Sequence, residues 1–156
     1  MSVVGMIRQF ADAETVSVPG QSIGFLVTAA QSKGCSIFML SVAPGFEVGA
    51  HYHNRMEEFF YVVEGEATLT SGDRTVRGGP GTFLFVPPGV AHSYGNPGPD
   101  PARLLLITTP PGFENYFAEM AQLPTLSGRP DPEAMAALRL RYDTVQIAAP
   151  TVKLSE

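Results

Sequence analysis

Cysteine, charge and long apolar runs are all scarce in this chain, and each shortage excludes something. There is one cysteine, Cys35, so no intrachain disulfide can form, and an interior apolar thiol is its expected role. Charged residues make up 16% of the chain, with a net charge of −5 and no basic cluster. Nucleic acid is therefore not an expected partner. No apolar run approaches the length that crosses a bilayer, and the opening residues lack a basic segment followed by an apolar run and a small-residue cleavage site. The expectation is a protein of the reducing cytoplasm with no membrane partner. Histidine is scarce too: the chain has three, and all of them fall between Gly45 and Asn96.

Against these shortages stand 16 Gly, 14 Pro and 44% hydrophobic residues in 156. That composition suits one domain of many short strands joined by tight turns better than a helical bundle. The stretches Ile23 to Thr28 and Cys35 to Val42 are rich in β-branched and aromatic residues, with a turn expected at Q-S-K-G between them. Residues Met1 to Val18, weakly patterned, are expected to form an arm crossing the barrel or a neighbouring subunit. Glu58 to Val63 reads E-F-F-Y-V-V, with large side chains on both faces, so both faces are expected to be covered, one by the interior and the other by a second sheet or a partner chain. Two further strands are expected at Ala67 to Thr70 and Arg74 to Arg77, then one at Thr82 to Val86. Pro87-Pro88-Gly89 must break the sheet, because proline lacks the amide donor, and the last strong strand is expected at Arg103 to Thr108. After Pro110-Pro111-Gly112 the texture becomes helical. Apolar residues recur at helical spacing from Phe113 to Leu123, and Asp131-Pro132-Glu133 is a capped start for a helix to about Arg141. The single domain, 1–156, thus divides into a core at about 17–110 and a C-terminal helical segment at about 112–145, free to cap the mouth of the barrel or pack on its outer sheet.

The three histidines carry the chemistry. His51 and His53 are two apart, so on an extended strand their imidazoles leave the same face. Glu58 follows after a short break and His92 much later, as a sheet folding back on itself would deliver them. Three nitrogens and a carboxylate suit a divalent transition metal. These residues also sit in a pattern. Gly45, His51, His53, Glu58 and Gly65 follow the order Gly, five residues, His-x-His, four residues, Glu, six residues, Gly. Gly81, Pro87, Gly89, His92 and Asn96 follow Gly, five residues, Pro-x-Gly, two residues, His, three residues, Asn. In both halves the chain resembles the cupin signature at every specified position. The resemblance implies a mainly β fold, a double-stranded β-helix or jelly-roll barrel with two short C-terminal helices, and one metal held by His51, His53, Glu58 and His92. Glu57 is the competing carboxylate, but only Glu58 is followed by six residues and then glycine.

Alternation along the strand puts Phe60 and Val62 on the face of Glu58, either lining a cavity or packing in the core. Tyr94 alternates with His92 and either presents its hydroxyl to a ligand or packs outward. Phe60, Phe85 and Tyr94 are the candidate substrate contacts, and Asn96 is expected to tie its loop through backbone hydrogen bonds. Four protein ligands on an ion that accepts five or six leave room for water, dioxygen or substrate. Ligand type does not choose among iron, manganese, nickel, cobalt, copper and zinc. The set is similar to that of quercetinase-like dioxygenase cupins, which implies oxygenation of a small hydroxylated aromatic or enolic substrate, with Glu58 as both ligand and catalytic base. A non-redox isomerase, cyclase or decarboxylase, and a ligand-binding cupin without turnover, are the alternatives. The two-sided strand from Glu58 to Val63 points to a homodimer.

Overall fold

A computed structural model describes residues 5–147 of the chain. The strands in chain order are β1 (Glu14–Val18), β2 (Gln21–Val27), β3 (Ser36–Val42), β4 (His51–Tyr52), β5 (Glu57–Glu64), β6 (Ala67–Ser71), β7 (Arg74–Gly78), β8 (Phe83–Val86), β9 (His92–Gly95) and β10 (Ala102–Thr109). After them come helix α1 (Glu114–Met120), a small hairpin of β11 (Thr125–Leu126) and β12 (Arg129–Pro130), helix α2 (Pro132–Arg141) and a final strand β13 (Val145–Gln146).

Two antiparallel sheets form the jelly roll, one ordered β1-β2-β3-β10-β5-β8 and the other β13-β4-β9-β6-β7. Strict alternation decides which side chains go inside. Along β10 every second residue is buried, and Leu104 lies between Leu40 and Val62, Leu106 between Phe38 and Phe60. These side chains are essentially inaccessible to solvent; removing any one to alanine would cost about 2–5 kcal/mol. Glu58 shares their inward face on β5.

The second sheet does not cover the outer face of β5, and the other cover expected for it is a partner chain. Nothing within the described chain covers it: Tyr61 and Val63 are exposed, and so are Phe83 and Phe85 on the neighbouring edge strand. Phe85 pairs with Phe59 across the ladder, and the two rings stack at 4.9 Å. The site carboxylate of Glu58 is instead opposite Val86. Phe85 therefore points away from the interior and lines no site cavity, because the β5–β8 register puts it one residue out of phase with Glu58.

The opening arm is also different from expectation. Met1 to Val4 lie outside the described residues. Glu14–Val18 joins the sheet as an edge strand on β2 instead of crossing the barrel, and a short 3-10 turn at Phe10–Asp12 precedes it. Arg8 donates to the carbonyls of Phe25 and Leu26 at 2.8 and 2.9 Å. The Phe10 ring lies where a Cβ on Gly24 would stand, 2.6 Å from the nearest ring carbon, which is why a glycine interrupts β2. Cys35 sits just before β3, free and half-buried, not interior.

The C-terminal helices close one end of the barrel. α1 is shorter than its sequence pattern, because Phe113 is its N-cap and the last turn relaxes after Met120. Glu114 is buried and ties it down: one carboxylate oxygen accepts from the Ala29 amide at 2.7 Å, the other from the Ser36 hydroxyl at 2.6 Å. α2 starts as its sequence indicates, with Asp131 accepting from the Ala134 amide and Pro132 in the first turn. Glu119 of α1 joins the end of α2 through Arg141 and the Tyr142 hydroxyl. β11 and β12 are joined by Ser127 and Gly128, both at positive φ, as a two-residue hairpin loop requires. The helical segment ends earlier than expected: Val145–Gln146 is a strand and pairs with β4. Among the described residues no helix is long and apolar enough to cross a membrane.

Candidate metal centre

Three strands and the turn that follows β4, which begins at His53, bring the four residues together. His51 on β4 faces His92 on β9 directly across the ladder, and Glu58 arrives from β5 in the opposite sheet. The two halves of the glycine-rich pattern are stitched to each other: the Gly45 amide donates to the Asn96 carbonyl at 2.8 Å, and the Gly89 amide to the His53 carbonyl at 2.6 Å. Asn96 is buried, donates through Nδ2 to the carbonyls of Val42 and Asp100, and accepts from the Gly98 amide. Its role is to fix this loop. Gly65 turns β5 into β6 at φ 75°, with the Pro101 carbonyl 2.9 Å from where a Cβ would be, so only glycine fits there.

One ligating atom each from His51, His53, Glu58 and His92 lies within 4.8 Å of the others, a spacing that bonds of about 2.1 Å to one ion reach after small side-chain rotations. All four residues are at most 9% exposed. The tautomers follow from the hydrogen bonds. Nδ1 of His51 faces the Gly49 carbonyl at 2.8 Å, that of His53 the Asp143 carbonyl at 2.9 Å, and that of His92 the Val90 carbonyl at 3.0 Å. A carbonyl only accepts, so each Nδ1 carries the hydrogen and each neutral ring turns a bare Nε2 lone pair inward.

Those inward atoms have nothing else to do. Nε2 of His53 and of His92 stand 3.3 and 2.5 Å from Oε2 of Glu58. Proximity alone would count these as ion pairs, yet among the described residues none of the three atoms makes a hydrogen bond of acceptable geometry. Lone pairs and a carboxylate, buried and facing one another, repel unless a positive charge sits among them. A divalent ion satisfies all of them together, so the residues present fit a metal.

The protonation behaviour agrees. Burial and the neighbouring His92 push His51 down to about 4. Burial would lower His53 as well, but the Glu58 carboxylate outweighs it and the imidazole is held above its usual value. Burial would raise Glu58, but contacts with His53 and His92 hold it down to about 2. Both shifts have one cause: the carboxylate set between the imidazoles favours positive charge beside it.

The centre opens into a cavity of about 820 Å³ between the barrel and the helical cap. His51, Glu58, Tyr94 and Leu106 form its floor, and Phe113, Tyr116, Phe117, Met120 and Met135 of the cap its roof. The terminal helices thus cap the barrel mouth. Tyr94 faces this space, but its hydroxyl donates to Gln21 at 2.9 Å, and burial keeps it protonated. Phe60 packs behind the site, its ring 6.3 Å from His92 and 5.3 Å from Tyr94, in the core and not on the cavity wall. Of the three aromatic residues read from the sequence, only Tyr94 lines the cavity.

Sequence reasoning missed several contributors. Thr108, opposite Glu58 on β10, is fully buried and its hydroxyl has no hydrogen-bond partner among the described residues. Phe113 turns its ring edge to His53 at 5.7 Å. Asp143 and Thr144 contact the outer nitrogen of His53. Arg139 lines the cavity from α2. Only Phe113 and Arg139 left a signal, lying on the helical pattern at positions that turn inward.

Known proteins match this chain in the same region. The family described as Cupin domain matches residues 38–108, which contain both halves of the pattern. Quercetin 2,3-dioxygenase of Bacillus subtilis is 37% identical over 71 residues, 44% of this chain and 21% of that enzyme, so the chain corresponds to about a fifth of its length. The tetracenomycin polyketide synthase protein TcmJ of Streptomyces glaucescens is 29% identical over 120 residues, 76% of each protein. Among solved structures, the polyketide cyclase RemF of Streptomyces resistomycificus superposes with a TM-score of 0.59 at 24% identity, over 67% of this chain and 79% of that one.

Proposed function

This chain belongs to the cupin superfamily, and on that premise we propose that it is a metal-dependent enzyme oxidising a small hydroxylated aromatic or enolic substrate with dioxygen. The observation that carries the proposal is the convergence of three bare imidazole nitrogens and the Glu58 carboxylate on one point at the floor of an aromatic-roofed cavity. Bound there, iron, manganese, nickel, cobalt or copper would supply Lewis acidity and a route for electrons between substrate and dioxygen, and zinc the Lewis acidity alone.

The chain's own residues do the rest. Glu58 takes the proton of a substrate hydroxyl at its carboxylate, which is buried beside the position that hydroxyl must reach. Phe113, Tyr116 and Phe117 pack against an aromatic ring and keep water from it. Tyr94, anchored on Gln21, fixes the opposite wall. Two carboxylates, Glu47 and Glu58, and two guanidiniums, Arg129 and Arg139, line the cavity. A divalent ion therefore leaves it net positive, which favours an ionised phenol, enol or carboxylate. Arg139 is the better placed of the two: it is half-buried, whereas Arg129 is exposed, and among the described residues no carboxylate pairs with it.

A second reading is non-redox cyclisation or isomerisation with the metal as Lewis acid, which the same four residues and cavity would serve. Oxygen uptake decides between them. Metal-loaded protein with a panel of flavonols, enediols and hydroxylated polycyclic ketones should consume dioxygen in step with substrate; equal turnover without air would give the reaction to the second reading, and ligand binding without turnover would leave a binding protein. We also propose that the protein is a homodimer joined through the exposed aromatic face of Tyr61, Phe83 and Phe85, and that it works in the cytoplasm, where its free thiol, Cys35, stays reduced.

A further inference from the structure

The three histidines are not held in the same way. His51 and His92 give their Nδ1 hydrogens to carbonyls two residues earlier in the chain, Gly49 and Val90. His53 gives its own to Asp143, which is 90 residues away. The orientation of two ligands is thus secured locally, while that of the third depends on a segment beyond α2.

The start of that segment is fastened by the side chain of Asp143. The carboxylate of Asp143 accepts from the amide of Asn54 at 3.0 Å, its Nδ2 at 2.9 Å and the amide of Arg55 at 2.8 Å. It thereby clamps the turn that follows His53. Asp143 stands at φ 51°, a left-handed conformation that aspartate tolerates better than most residues. This conformation presents the carbonyl to His53 while the side chain reaches back over the turn. Thr144 then lies with its hydroxyl 3.4 Å from the same nitrogen and is buried. Val145 and Gln146 pair with Tyr52 and His51, and the Ile147 amide donates to the Ala50 carbonyl at 3.0 Å.

We propose that Asp143 is a positioning residue of the metal centre, and that residues 143–147 form a latch whose docking and metal binding reinforce each other. The proposal rests on the metal reading of His51, His53, Glu58 and His92. With the latch docked, His53 has its hydrogen fixed on Nδ1 and its lone pair on Nε2, aimed inward. With it undocked, the ring is free to rotate and to take the other tautomer. Because coupling is reciprocal, an ion held by His53 must in turn stabilise the docked latch.

The test uses the full chain, stripped of metal and titrated with Co²⁺, in four forms: wild type, Asp143→Asn, Asp143→Gly and Asp143→Ala. Asparagine keeps the left-handed preference and one acceptor oxygen, glycine keeps the backbone but no acceptor, and alanine keeps neither. The dissociation constant should rise in that order, with alanine weaker than wild type by about 10- to 100-fold, the usual effect of losing an outer-shell partner. Melting of the metal-free forms, followed in parallel, separates a site effect from general loss of stability, and if alanine fails to fold, asparagine and glycine decide. Hydrogen exchange at the Thr144 and Ile147 amides should slow on Co²⁺ addition to wild type and not to the glycine variant. Glycine and alanine binding as tightly as wild type, or exchange at 144–147 indifferent to Co²⁺, would overturn the latch. Wild type that binds no Co²⁺ would overturn the metal reading itself.

Discussion

Nε2 of His92 lies 2.5 Å from Oε2 of Glu58, and both atoms are buried. The ring's other nitrogen already donates to Val90, so a neutral His92 sets a lone pair against a carboxylate. That arrangement is unfavourable on its own and becomes favourable only around a cation. The same holds for His53, and the strands that bring these atoms together, β4, β9 and β5, belong to both sheets of the barrel. Rigidity of the fold therefore holds His51, Glu58 and His92 facing one another whether or not the cation is there, while His53 depends on Asp143 for its orientation.

Replacement of Glu58 by glutamine tests its two roles apart. Glu58→Gln keeps the shape and an oxygen ligand but loses the charge and the ability to take a proton. Metal affinity should fall less than on loss of a histidine, while the turnover number falls by about 10²- to 10⁴-fold. An unchanged turnover number would remove Glu58 from the base role.

Metal uptake should release protons. In the metal-free site His51, pushed down to about 4, is already neutral at pH 7, whereas His53 is held above its usual value by Glu58. Ion binding should thus displace a proton from His53, so affinity should rise with pH until His53 is neutral in the metal-free site. Calorimetry in two buffers of different ionisation enthalpy measures this directly. Binding that releases no proton and does not depend on pH would contradict the assignment. For the stability of the metal-free fold the sign is fixed too: the contribution of His51 is full above 6.5 and lost as pH falls towards 4, and that of Glu58 is lost between 4.5 and about 2.

Arg139 should govern affinity for the substrate. Arg139→Ala removes the half-buried cation from the cavity wall, and KM for an acidic substrate should rise by about 10- to 100-fold, the value of a charged hydrogen bond. Little change in kcat is expected. A KM that does not move would leave the guanidinium without a part in binding.

The exposed faces of Phe83 and Phe85 should join two copies. Light scattering is expected to give twice the chain mass for wild type and the single mass for the Phe83→Asp, Phe85→Asp double variant. Monomeric wild type at working concentration would end the dimer proposal.

Most of the barrel and the meeting of His51, His53, Glu58 and His92 at one place were legible in the sequence, for physical reasons that also explain the failures. Alternation along E-F-F-Y-V-V fixes which residues share a face with Glu58, and turn glycines with Pro87 and Pro88 fix where strands stop. The start of α2 was readable because Asp131 and Pro132 are local signals. Phe85 was misplaced because its face depends on the register between β5 and β8, which no single strand encodes. β13 was missed because a strand of two residues has no period of its own; it exists only through pairing with β4, about 90 residues earlier. Buried Glu114 resembled an ordinary first-turn carboxylate, and its partners, Ala29 and Ser36, come from a distant loop.

Metal content measured against the ligands is the most direct trial of this account. Wild-type protein purified without added metal should carry about one divalent transition metal per chain, while His51→Ala and His92→Ala carry almost none and keep the far-ultraviolet circular dichroism of the barrel, whose core does not depend on one ion. Full metal in both variants would contradict the claim that these four side chains form one centre.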